Sequence, residues 1–224
     1  MRLAGTVSRN PEAMVRIDID QIEVAGQTIG AATRIYLMLN KPRGIVTTAA
    51  DEKGRETVYS LLPSGMEWIA PVGRLDKASE GLLLLTNDSE WAARISDPAT
   101  HLDKTYHVQI AAVANGEMLQ KLRHGIETET GDVLRAKGAA VVRAGEKNCW
   151  VEIVLAEGKN RQIRRMFDGL GTEVLRLVRV SIGPLQLGDL AKGKHRGLRP
   201  DEKLLLDQAI RKPDYLATSN SLVP

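Results

Sequence analysis

The 224-residue chain holds a single cysteine, Cys149, so an internal disulfide and a cysteine-rich metal site are both excluded. A lone thiol fits a reducing cytoplasm. Aromatic residues are scarce: three tryptophans, four tyrosines and one phenylalanine. A broad platform for stacking successive bases of a single strand is therefore not expected. No run approaches the roughly eighteen apolar residues of a membrane-spanning helix. The N-terminus, MRLAGTVSRNPE, has no apolar core followed by small residues, so no secretory signal is expected. The four histidines, His101, His107, His124 and His195, show no metal-ligand spacing, and there is no glycine-rich phosphate loop.

What remains is an ordinary globular composition, 43% hydrophobic and 26% charged. The net charge of +3 is small, but the bases are unevenly spread. Lys159, Arg161, Arg164, Arg165, Arg176 and Arg179 crowd between Gly158 and Val180, against the acids Asp168 and Glu173. Lys192, Lys194, His195, Arg196 and Arg199 form a second cluster. Such concentration suits a polyanion, because neutralised phosphates release their counterions. On charge alone, a solvated basic face accounts for it as well.

Residues 1–30 look like a fragment. Val15 to Asp20 and Ile22 to Val24 alternate like half-buried strands, with a turn at Ala25-Gly26-Gln27, and apolar groups are too few for a core. From Arg34 onwards, strands are expected at Ile35 to Leu39, Ile45 to Thr48, Leu82 to Thr86 and Lys104 to Ile110. Further strands are expected at Ala139 to Val142, Trp150 to Leu155, Val174 to Val180 and Leu185 to Leu187. Short helices are expected at Thr57 to Leu62, from an Asp88 cap to Ile95, at Glu117 to Leu122, from an Asn160 cap to Phe167, and at Glu202 to Ile210. Residues 213–224 read as a loose tail. Many strands with scattered helices predict an α+β fold with a mainly antiparallel sheet.

Two stretches can carry chemistry. In Gly73-Arg74-Leu75-Asp76 a polar pair flanks an apolar anchor, just outside the four-leucine strand Leu82 to Leu85. A carboxylate held beside a guanidinium stays ionised, which suits a nucleophile or general base. In isolation, a structural turn with a surface ion pair is the favoured reading of this motif. In EGKNRQIRRM, residues 157–166, a helix from Asn160 would put Arg161, Arg164 and Arg165 on one side and Ile163, Met166 and Phe167 on the other. That arrangement suits phosphate, or an inward arginine paired with a buried acid. Tyr106, on an alternating strand, is either half-buried packing or a stacking partner for one flipped-out base.

Taken in order, NKPRGIVTT, GRLDKASEGLLLLTND, KTYHVQI, EGKNRQIRRM and LRLVRVSIGPLQLGDL resemble the RsuA/RluB family of ribosomal-RNA pseudouridine synthases, from about Arg34 to Leu190. The resemblance implies the pseudouridine synthase catalytic fold, and an enzyme that detaches a uracil and rejoins it through carbon without cofactor or metal. It implies Asp76 as the catalytic aspartate, with Arg164 pairing with it in the cleft. It further implies Tyr106 stacking on the base, Leu177 lining the pocket and Arg74 helping to hold the nucleotide. The expected RNA contacts are Lys41, Arg43 and Lys104 within the motifs, and Lys159, Arg161, Arg165, Arg176 and Arg179 in the basic stretch.

The family commonly begins with a complete S4-type RNA-binding module. Here residues 1–30 resemble only its end, leaving a catalytic domain over 31–212 and a tail at 213–224. The expected substrate is 23S rRNA, with 16S rRNA next, for a cytoplasmic monomer with no membrane contact. A non-catalytic rRNA-binding or ribosome-assembly protein that kept the fold is the alternative. A carboxylate facing a phosphate-rich ligand would only weaken a binder.

Overall fold

The computed structural model describes residues 2–3, 5–10, 14, 22–29, 33–128 and 131–211. It divides into two compact units, Met1–Arg34 and Ile35–Pro224. In the first, strands Thr6–Val7, Arg2–Leu3, Ile22–Val24 and Gln27–Ile29 lie in that order in an antiparallel sheet. The Ile22–Val24 hairpin turns at Ala25 and Gly26, both at positive φ, as a tight two-residue turn demands. The alternation expected at Val15 to Asp20, and the tail from Pro213, lie outside the described residues.

The second unit is α+β. A small antiparallel sheet pairs Ile126–Glu127 with Val133–Leu134. The strands of the large sheet are β1 Tyr36–Lys41, β2 Ala70–Val72, β3 Glu80–Thr86, β4 Lys104–Ile110, β5 Gly138–Ala144, β6 Cys149–Leu155, β7 Val174–Ile182, β8 Leu185–Gln186 and β9 His195–Gly197. Among the described residues they form one sheet in the order β5-β6-β4-β7-β3-β1-β9, with β2 also on β3 and β8 on β7. The helices are α1 Ser89–Ser96, α2 Gly116–His124, α3 Gln162–Asp168 and α4 Pro200–Arg211.

The four-leucine run explains itself in this sheet. Leu82 and Leu84 face a core with Met38, Trp91, Ile95 and Leu206, under α1 and α4. Leu83 and Leu85 face the opposite core with Leu37, Leu39, Ile45, Val58, Ile69 and Leu75. All four are fully buried, because β3 is covered on both faces. A third core joins β4, β6 and β7 to α2 and α3 through Val108, Ile110, Leu122, Val151, Ile153, Met166 and Phe167.

Two local expectations change, and two short strands are unexpected. Ile45 to Thr48 is not a strand but makes one bridge, Val46 with Thr57. Both sides of β1 are already taken, by β3 and β9, and Gly44 at φ 99 turns the chain out of the sheet. Strands β2 and β9, three residues each, are too short to show a period in sequence. Helix α3 begins at Gln162 rather than after an Asn160 cap, with Arg161 left-handed at φ 47. The buried Gln162 side chain organises this start by accepting from Lys159 N and donating to Glu157 Oε1 and Arg135 O.

Every pairing in the large sheet is antiparallel except β3 with β7, which is parallel. That joint has just two registered pairs, Val178 with Glu80 and Arg179 with Gly81. The backbones approach so closely that a Cβ on Gly81, at φ 102, would lie 2.2 Å from Arg179 O. Between β2 and β3 runs the loop Gly73 to Ser79, and its carbonyls are gripped one after another. Leu75 O accepts from Thr47 Oγ1 at 2.9 Å, and Lys77 O from Gly44 N at 2.8 Å. The Lys41 ammonium, fully buried at the end of β1, donates to Ser79 O at 2.9 Å, Asp76 O at 3.1 Å and Pro42 O at 3.2 Å.

Two outcomes follow for this framework. Gly81→Ala should lower stability by about 3 kcal/mol, since positive φ and a backbone clash act together, and Tm should fall on the order of 10 °C. Calorimetry checks it. For Lys41, burial pushes the ammonium down to about 8 from 10.5, against the pull of Asp76 and Glu80. Between these values the unfolded chain binds more protons at this site than the folded one, so the fold gains stability as pH rises through that window. Below about pH 8 the site is charged in both states and contributes no slope. Urea midpoints from pH 7 to 10.5 should show this gain in the wild type and lose it in Lys41→Met.

Candidate active site

The gripped loop forms one wall of a cleft of about 360 Å³. Asp76 and Arg74 come from the loop, Lys104 and Tyr106 from β4, and Leu177 and Arg179 from β7. The segment Leu155 to Ile163 and residues Ile95, Ser96 and Pro98 complete the lining. Chain alternation decides which residues of β7 take part: Leu177 and Arg179 are two apart, on one face of the strand. Tyr106 stands opposite Arg179 in the β4–β7 register and packs against cores on both sides of the parallel joint. Asp76 and Tyr106 are half-buried, Leu177 is buried and Arg74 is exposed.

Of the five residues the resemblance assigns to catalysis, four line this cleft together: Asp76, Arg74, Tyr106 and Leu177. Arg164 is placed differently. Its Nη2 donates to Ala78 O at 3.1 Å and its Nη1 to Val174 O at 3.3 Å, while Nε has no partner among the described residues. No Asp76–Arg164 ion pair forms within 4.0 Å among the described residues, so the expected contact becomes a grip on the loop two residues beyond Asp76. Burial, then the nearby Arg161, pull the guanidinium below its ordinary value, while Asp76 pulls it up; the two are within electrostatic reach.

The expected RNA contacts also divide. Lys41 and Arg179 are buried at 0% and 6% exposure, which corrects their assignment to RNA: Lys41 holds the loop, and Arg179 Nε donates to Leu82 O at 2.7 Å. Arg165 turns away from Arg161 and Arg164 to pair with Asp132 and Thr128, because α3 starts too late to carry all three on one side. Lys159 pairs with Glu157 at 3.2 Å, and Arg176 with Glu80 at 3.1 Å. Lys104 is half-buried on the cleft wall, and burial, then Arg179, lower its pKa against the pull of Asp103. Arg43 and Arg161 are exposed with no side-chain partner among the described residues.

Sequence inspection missed Thr47, Gln162 and Glu80. Only Glu80 left a signal there, as an acid at the head of an otherwise apolar run.

Comparison with known proteins agrees with this geometry. Residues 35–168 match the profile of RNA pseudouridylate synthase. The chain is 39% identical over 204 residues to ribosomal large subunit pseudouridine synthase B of Bacillus subtilis, covering 88% of this chain and 84% of that protein. It is 35% identical over 179 residues to ribosomal large subunit pseudouridine synthase E of Vibrio parahaemolyticus, covering 74% of each. A crystal structure of a pseudouridylate synthase superposes with a TM-score of 0.69 at 28% identity, over 92% of this chain and 87% of that one. The chain belongs to the RNA pseudouridine synthase family, isomerases that act on RNA.

Proposed function

We propose that this protein converts a uridine of ribosomal RNA, in the 23S molecule, to pseudouridine, with Asp76 as the catalytic group. The observation that carries this is the meeting of the Asp76 loop with Tyr106 and Leu177 in one cleft. The large-subunit names of its relatives favour 23S over 16S rRNA. Residues 1–30 resemble an S4-like segment and residues 31–212 form the catalytic domain, of a protein that acts as a cytoplasmic monomer. Among the described residues no helix is long and apolar enough to cross a membrane.

The chemistry follows from the residue types. A uridine in folded RNA leaves its stack at a cost of a few kcal/mol, which Tyr106 offsets by stacking, with Leu177 as the apolar counterpart. The Asp76 carboxylate then either bonds to the nucleoside as a nucleophile or removes a sugar proton as a base. On both routes the C1′–N1 bond breaks, the uracil turns, a C1′–C5 bond forms, C5 gives up its proton and N1 takes one up, and Asp76 is released from the nucleoside or returns the sugar proton it removed. No atom is gained or lost, so no co-reactant is needed. Arg74, Arg43 and Arg161 at the exposed rim supply phosphate contacts.

Asp76→Asn should fold with an unchanged Tm and bind RNA within about twofold of wild type, yet form pseudouridine at least about 1,000-fold more slowly. Turnover near the wild-type rate would rule Asp76 out. Tyr106→Leu should slow the reaction about 10- to 100-fold, the worth of one base stack. Pseudouridine mapping of rRNA from cells lacking the protein should show one site lost in 23S rRNA; a site lost in 16S rRNA instead would overturn the substrate assignment.

A further inference from the structure

Glu80 heads a strand that is buried along its whole length, four residues after Asp76. It is 3% exposed, and two cations reach it from distant parts of the chain. Arg176 forks onto it, with Nε to Oε1 and Nη2 to Oε2 both at 3.1 Å. The Lys192 ammonium lies 2.5 Å from Oε2. The Arg176 guanidinium also sits 5.4 Å from the centre of the Trp150 ring, which fixes its plane. Lys192 is brought in by a turn latched to Asn40: Asn40 Nδ2 donates to Leu190 O at 2.6 Å, Asn40 N to Lys194 O at 2.9 Å, and Gly193 N to Asn40 O at 2.8 Å.

The geometry points to Glu80 as a positioning residue for Asp76, with Arg176 and Lys192 serving as its counter-ions rather than as contacts to RNA phosphate. The inference rests on the proposed function. The parallel β3–β7 joint has two registered pairs, one of them made by Glu80 itself with Val178. Arg176 is two residues before Val178 on β7, so its fork reinforces that joint from the side-chain layer. On one side of the joint is the Asp76 loop, and on the other are Tyr106 and Leu177. A slip there would separate carboxylate from base clamp.

Arg176 and Lys192 are about half exposed, at 42% and 54% of their side chains, and by exposure alone they would be assigned to RNA. A phosphate that drew them off would leave Glu80 buried and unpaired, which is strongly unfavourable. Burial pushes the Glu80 carboxyl up, but the hydrogen bonds and charges of Arg176 and Lys192 more than reverse this, so it stays ionised.

Steady-state turnover on transcribed 23S and 16S rRNA, together with RNA affinity measured across a salt series, tests the assignment. Glu80→Gln and Arg176→Met should lower kcat at least tenfold and Lys192→Met several-fold. KM and Kd should stay within twofold, and the slope of log Kd against log salt should not change. The Glu80→Gln, Arg176→Met double variant should be no slower than the slower single, and Arg176→Lys should recover part of kcat. Unchanged kcat would overturn the inference. So would weaker binding with a salt slope shallower by about one per cation removed, the signature of a phosphate contact. Lys192→Met changes a half-exposed side chain and keeps the test decisive if Glu80→Gln does not fold. Absence of product from the wild type on both rRNAs overturns the proposed function and the inference together. An active wild type with unaffected variants overturns the inference alone.

Discussion

Two pairs of residues, Val178 with Glu80 and Arg179 with Gly81, join strands β5-β6-β4-β7 to strands β3-β1-β9. Everything the cleft needs comes from opposite sides of this short joint, Asp76 from one and Tyr106 and Leu177 from the other. Two backbone pairs alone are a weak hinge. Further strength comes from a core shared across it, where Ile182 and Leu185 pack with Leu82 and Leu84, and from three arginines of α3 and β7, which reach across to alternate positions of the catalytic segment. Arg164 takes Ala78 O, Arg176 the Glu80 carboxylate and Arg179 Leu82 O. Arginine suits this task because its rigid fork of N–H donors matches fixed oxygens, whereas an ammonium is a mobile point charge. Gly81 completes the joint by letting the two backbones meet where any side chain would collide.

Much of this architecture was legible in the sequence. The alternation of β4 and β6, the Asp88 cap of α1, and the doubly buried leucine strand all follow from periodicity and local capping. Asp88, for example, accepts from Trp91 N, the third residue of the helix it caps. What was not legible depends on contacts between distant segments. Nothing local distinguishes Lys41, which is fully buried, from Arg43, which is exposed two residues later. Its burial follows from three carbonyls converging on one point, two of them more than thirty positions away. The short strands β2 and β9 exist only because β3 and β1 offer them an edge.

The same limit applies to charge. Basic density between Lys159 and Arg179 invited a single assignment to phosphate. In the fold those bases divide into ties across the joint (Arg164, Arg176 and Arg179), surface pairs (Lys159 and Arg165) and one guanidinium, Arg161, with no side-chain partner among the described residues. The sequence pattern reported how many cations were present, but their partners lay elsewhere in the chain. Asp132, Glu80 and the carbonyls of Ala78 and Leu82 are all far from the bases they hold. A motif therefore locates the chemistry more reliably than it assigns each cation a task.

The treatment of Asp76 shows why so many groups serve one loop. Five consecutive carbonyls, from Leu75 to Ser79, each accept a hydrogen bond from a neighbouring segment or a buried cation. The backbone is thus fixed while the Asp76 carboxylate makes no ion pair of its own among the described residues. A carboxylate locked in a close fork with Arg164 would be well placed but poorly able to attack a sugar or accept its proton, since its lone pairs would already be engaged. Anchoring the loop through Ala78 O instead keeps Arg164 within electrostatic reach of Asp76 and leaves the oxygens for the substrate. Position is supplied by the main chain and reactivity by the side chain, and the two demands do not compete for the same atoms.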